Sequence, residues 1–130
     1  MKNKDKYLKR EISIQEYQEA IKNVLTVNDI RILSVMTKFP DLSYRELSGK
    51  LKYKNDKAAQ LQIGRIGKRI ANYLNITPKN YLIQKGVEQP AFFALIALYY
   101  LSEGKSGSID YTYEMRVNLQ KALKNMNIVR

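Results

Sequence analysis

Apolar residues recur at helical spacing along most of this chain, and the breaks in the pattern mark where elements end. Ile14, Tyr17, Ala20, Ile21 and Val24 follow one another at the spacing of one helix face. Ser13 and Glu16 frame the start of that helix as a capping box: the hydroxyl takes the third backbone amide and the carboxylate reaches back. A second helix is expected to start near Thr26 to Asn28 and to bury Ile30, Leu33, Val35 and Met36, with Pro40 stopping it. Ser43 and Glu46 form another capping box and open a short helix through Leu47 to Leu51. After the turn Lys52 to Asn55, a long helix capped by Asn55 or Asp56 runs to about Leu74. Its apolar stripe is Ala59, Ile63, Ile66, Ile70 and Leu74. Thr77 to Pro90 reads as a surface loop.

Ala91 to Leu101 (AFFALIALYYL) is apolar on every side, so periodicity alone fits either a buried helix or a strand. The turn-rich SEGKSGS that follows, and the β-branched and aromatic run Ile109 to Tyr113, favour a hairpin. A last helix from about Glu114 to Met126 would bury Val117, Leu119, Ala122 and Leu123. The fold class is therefore mainly α with a small β-hairpin. Three helices and then a hairpin is the order of a winged helix, so the expectation is a winged-helix-like helix-turn-helix domain. Residues 1–10 read as a flexible basic arm and residues 11–130 as a single domain.

Charge changes the picture most. Between Lys50 and Arg69 stand seven basic residues (Lys50, Lys52, Lys54, Lys57, Arg65, Lys68, Arg69) against one acid, Asp56. More than half of the chain's net +11 is thus concentrated on one supersecondary unit, which suits a polyanion partner better than general solubility. With the apolar stripe of the long helix turned inward, Lys57, Gln60, Leu61, Gly64, Arg65, Lys68 and Asn72 fall on or near the outer face. Lys52, Lys54 and Asn55 sit at its N-terminal end, where recognition helices meet base edges. Asn and Gln read adenine, Arg and Lys read guanine, and lysines also hold phosphates. Gly64 on an outer face weakens a helix and is tolerable if another backbone, such as DNA, comes close; Gly67 suits close packing of a neighbouring element. Lys105 would lie at the tip of the wing. The candidate DNA-binding residues are Lys52, Lys54, Asn55, Lys57, Gln60, Gly64, Arg65, Lys68, Arg69 and Lys105.

Other chemistry finds little support. The chain has no cysteine and no histidine, which removes disulfides, thiolate metal sites, the commonest general base and every Ser-His or Cys-His pair. The acids are scattered, and Asp110 and Glu114 beside Lys105 do not reproduce the clustered carboxylates of a metal nuclease. Gly104-Lys105-Ser106 lacks the upstream glycine of a phosphate loop. No enzyme activity, metal or cofactor is expected. Tyr99, Tyr100, Tyr111 and Tyr113 read mainly as hairpin packing pairs, with a pocket for a flipped or modified base as the second reading. No apolar run reaches the roughly 20 residues of a membrane span, and no secretory leader is visible, so a cytoplasmic location is expected.

Tyr44-Arg45-Glu46-Leu47, then Leu51-Lys52-Tyr53-Lys54-Asn55, then Ala58 to Ile70 (AAQLQIGRIGKRI), resemble the helical DNA-binding module that precedes HNH nuclease domains in bacterial restriction proteins. The likeness extends over roughly Val27 to Val129 and is strongest over Leu42 to Leu74. A chain without histidine cannot hold an HNH motif, so the resemblance implies DNA recognition without cleavage. Its implied partners are double-stranded DNA, modified DNA included, and a nuclease subunit or domain. Two other readings stay open: a small transcriptional regulator of phage or plasmid type, and a protein-interaction domain acting as inhibitor or adaptor.

Overall fold

The computed structural model describes residues 6–55, 57–84, 86–103 and 109–129. In chain order the elements are α1 (Ile14–Val24), α2 (Val27–Lys38), α3 (Tyr44–Lys50), α4 (Ala58–Leu74), β1 (Asn80–Gln84), β2 (Val87–Pro90), a 3-10 helix (Phe92–Leu95), β3 (Ala97–Glu103), β4 (Ile109–Met115) and α5 (Val117–Asn125). The architecture is mainly helical, with two small antiparallel hairpins, β1–β2 and β3–β4.

Local chemistry sets the helix ends. Ser13 with Glu16, Thr26 with Asp29, and Ser43 with Glu46 each form a reciprocal capping box, satisfying two amides that a helix start leaves without partners. At the other ends, α3, α4 and α5 each run into a left-handed residue: Lys52 (φ 63°), Asn75 (φ 58°) and Asn127 (φ 60°). After each of them the chain turns back to bond the last helical turn, as in the 2.9 Å bond from Tyr53 N–H to Ser48 O and the 2.8 Å bond from Ile76 N–H to Ala71 O.

The core is built around α4. Ala59, Ile63, Ile66 and Ile70 are fully buried at the spacing expected from sequence, while Leu74 is only half-buried. The 3-10 helix lies across this stripe. Its approach is so close that a Cβ on Gly67 would collide with the Phe92 carbonyl, which explains the glycine. The other side of the 3-10 helix is tied to α1 and to the start of α5. The Tyr17 hydroxyl donates to Leu95 O at 2.6 Å and Arg116 Nε donates to Ala94 O at 2.7 Å.

Several expectations are corrected. Thr77 to Pro90 is not a plain loop: Asn80 pairs with Pro90, Tyr81 with Gln89 and Leu82 with Glu88, and Gly86 (φ 79°) lies in the turn. Ala91 to Leu101 is neither one strand nor one helix. It holds the 3-10 helix first, and the strand begins only at Ala97, pairing from Ala97↔Met115 to Glu103↔Ile109. Glu114 belongs to β4, so α5 starts three residues later than expected and leaves Val117 61% exposed. Asp56 lies outside the described residues, and Asn55 is not the N-cap of α4. That place falls to Lys57, whose side chain makes no capping bond, and Asn55 Oδ1 instead accepts from Lys57 N–H at 2.7 Å. The stretch read as a free arm is docked from Tyr7 onward. Leu8 is buried in the core, the Tyr7 ring stands edge-on to Phe93 at 5.3 Å, and Lys79 N–H donates to Tyr7 O at 2.8 Å. Arg10 follows with a two-pronged bond to Glu16 (2.8 and 2.7 Å). That guanidinium, helped by the Ser13 amide, holds the Glu16 carboxyl down at about 2.

Two long-range contacts orient α3 and α4. Ser43, just before α3, bridges to Thr112 on β4. Ser48, buried on α3, accepts from Ala59 N–H at 3.1 Å, giving the first turn of α4 the cap that its own sequence lacks.

Candidate nucleic-acid interface

The turn between α3 and α4 presents Lys52, Lys54 and Asn55 to solvent. Lys52 takes the left-handed conformation usual for glycine, at a cost of roughly 1–2 kcal/mol. It thereby holds a cation at the bend where a smaller residue would be easier. From there α4 carries Lys57, Gln60, Leu61, Gly64, Arg65 and Lys68 along one side, spanning roughly 16 Å at 1.5 Å per residue. These six expected outer-face residues come together as one wall of an open groove of about 500 Å³.

The opposite wall comes from elements that sequence reasoning did not connect to the site. Tyr81 on β1, Gln89 and Pro90 on β2, and Phe92 face α4 across the groove. Gln89 Nε2 donates to the Tyr81 hydroxyl at 3.0 Å, and the Tyr81 ring meets buried Phe93 edge-on at 5.1 Å. Lys68 Nζ stands 5.8 Å from the centre of the Phe92 ring, within cation–π reach. The one signal that could have found this wall is local: Asn80-Tyr81-Leu82-Ile83 ahead of Lys85-Gly86 has the form of a strand running into a glycine turn.

The electrostatics are one-sided. Among the described residues Lys57, Arg65 and Lys68 line the groove and no carboxylate does. Among the described residues none of these three cations is in an ion pair. Gly64 lies between them with nothing within 4 Å of where a Cβ would sit, so packing does not require a glycine there.

Arg69, an expected participant, is engaged elsewhere. It turns toward α2 and binds Asp29 at 2.6 Å, an aspartate whose side chain is 3% exposed. Tyr113, read mainly as a packing residue, is buried against Tyr44 at 5.5 Å, and its hydroxyl donates to Phe39 O at 2.5 Å. Burial, with help from Asp41, pushes its phenol above the ordinary range. Lys105 lies outside the described residues, as do the side chains of Tyr99, Tyr100 and Tyr111.

Among the described residues no three acids converge as a metal site would require. No helix among them is long and apolar enough to cross a membrane. Comparison with protein-family models, curated proteins and solved structures finds no match to this chain.

Proposed function

We propose that this chain is a DNA-binding module that offers the outer face of α4 to duplex DNA. The observation that carries the reading is the row Lys57, Arg65 and Lys68, with Gln60 between them, on one exposed face of a helix that follows a tight turn, with no acid among the described residues lining that face. Cations of this kind hold phosphates, and the glutamine has the donor and acceptor that adenine presents in the major groove.

The winged-helix reading draws on the same features. The order α2, the Ser43 bridge, α3, α4 and the hairpin β3–β4 follows that of a winged helix, and the Ser43–Thr112 bridge ties the start of α3 to the hairpin that would be the wing. The hairpin β1–β2 would then be an addition between the recognition helix and the wing. The motif likeness over Leu42 to Leu74 extends the proposal to a restriction or defence context, with cleavage left to another domain or subunit.

Fluorescence anisotropy with a short duplex at two salt concentrations tests this. If Lys57, Arg65 and Lys68 neutralise three phosphates, log K falls against log salt with a slope of about −2.7. The double variant Lys57→Glu/Lys68→Glu should abolish binding while keeping the helical circular-dichroism spectrum. Salt-independent binding, or binding that survives the double charge reversal, would overturn the proposal. Failure to bind any duplex near ~150 mM salt, where charges are still felt over about 8 Å, would favour an acidic protein partner instead.

A further inference from the structure

A helix that reads a major groove works with a convex edge, yet the face described above is one wall of a recess. The recess has features that a backbone-reading surface does not need. Its volume, about 500 Å³, lies in the range of roughly 300–1,000 Å³ typical of pockets that hold a small molecule. On the α4 side it is bordered by Gly64, where a side chain would have open space and is missing. On the other side the rings of Tyr81 and Phe92 form an aromatic boundary. That boundary is fixed in advance: Tyr81 rests edge-on against Phe93, which is buried and itself contacts Tyr7.

The polar groups are equally specific. Lys57, Arg65 and Lys68 at the margin suit a phosphate. Gln60 and Gln89 each bring an amide with two donor hydrogens and an acceptor oxygen. One of the Gln89 hydrogens is committed to the Tyr81 hydroxyl at 3.0 Å, which holds that amide in place and leaves its oxygen and second hydrogen for a ligand. Aromatic faces, amides (one of them fixed) and cations together are the chemistry that receives a nucleotide outside a base stack. Three cations against no carboxylate among the described lining residues favour an anionic ligand over a cationic one.

We propose that the groove between α4 and the hairpin β1–β2 takes a single nucleotide swung out of the duplex, its base against Tyr81 and Phe92 and its phosphate at Lys57, Arg65 and Lys68. This rests on the DNA-binding reading and adds to it a preference for positions that open easily.

The test compares two duplexes of one sequence, one fully paired and one with an abasic site that leaves the opposite base without a partner. Extrusion costs a few kcal/mol less for an unpaired base, so the abasic duplex should bind at least about tenfold more tightly. Tyr81→Leu removes the ring, and Gly64→Leu fills the recess at a position with room for it. Each should shrink the preference, read as the ratio of the two affinities within one variant, to within about twofold. If Tyr81→Leu fails to fold, as judged by its circular-dichroism melt, Gly64→Leu decides alone. Equal binding of the two duplexes by the natural chain overturns the pocket and leaves the DNA-binding reading standing. A preference that persists in both variants also overturns it, because the open base is then received elsewhere. Failure to bind either duplex overturns both proposals together.

Discussion

The two faces of α4 obey different rules. On the inner face each residue has a packing reason: Ala59, Ile63, Ile66 and Ile70 are fully buried, and Gly67 leaves room for the Phe92 carbonyl. On the outer face the residues have none. Leu61 is 57% exposed, Gly64 borders open space, and Lys57, Arg65 and Lys68 are solvated cations. Folding therefore dictates one side of the helix and leaves the other unexplained. A side whose composition folding does not explain, and which combines like charge, glutamine and a bordering aromatic wall, is where a ligand enters the account.

The sharpest way to break this contrast is Gly67→Ala. The added methyl meets backbone, which cannot turn away as the end of a side chain could. The 3-10 helix must move off α4, and Phe93, Ala94 and Leu95 lose packing with it. The expected loss is about 3 kcal/mol or more, at the upper end of overpacking, read as a lower urea midpoint at unchanged slope. A loss under about 1 kcal/mol would mean that the 3-10 helix adjusts freely, and the inner face would be less constrained than described.

A second test separates two arginines that look alike in the sequence. Arg69 compensates the buried Asp29 carboxylate, whereas Arg65 lines the groove. Arg69→Met leaves a buried charge without its partner. Since the Arg69 side chain keeps 39% of its exposure, the expected cost is about 2–3 kcal/mol, below that of a fully enclosed pair. Arg65→Met should stay within about 0.5 kcal/mol of the parent in stability and lower the salt slope of duplex binding by about one phosphate. If Arg69→Met reduced the slope and left stability alone, Arg69 would belong to the outer face after all.

The division between what was legible in the sequence and what was not follows the range of the interactions. Capping boxes act over three residues, so Ser13–Glu16 and Ser43–Glu46 could be read directly, and so could the helical stripe of α4. The residues of the groove's α4 wall were legible for the same reason: helical periodicity puts them on one side. The facing wall was not, because Tyr81, Gln89 and Phe92 reach the groove through strand pairing and the 3-10 helix, neither of which periodicity reveals. The apolar run after Pro90 was ambiguous because its division at Ile96 and Ala97 answers to distant partners, Gly67 on one side and Met115 on the other. Arg69 was miscast on the same account. Its partner Asp29 stands forty residues earlier, and a cluster of cations says nothing about which one is already neutralised.

The smallest effect is the most telling. Gly64→Ala makes no new contact, because nothing lies within 4 Å of the added carbon. It also lowers the backbone freedom of the unfolded chain, so the variant should be more stable by about 0.5–1 kcal/mol. Untaken gains of that size are common in natural proteins, so the glycine acquires a reason only if binding changes with it. The groove supplies one if the methyl, set in its α4 wall, weakens binding of the abasic duplex more than that of the paired duplex. The pair Gly64→Ala and Gly67→Ala then becomes a single experiment on one helix. The same atom added three residues apart should destabilise the fold where backbone presses on it, and should stabilise the fold and impair recognition where only a ligand would. If Gly64→Ala gains stability and both duplexes bind unchanged, the glycine has no role at the groove, and the outer face keeps its cations as its sole functional signature.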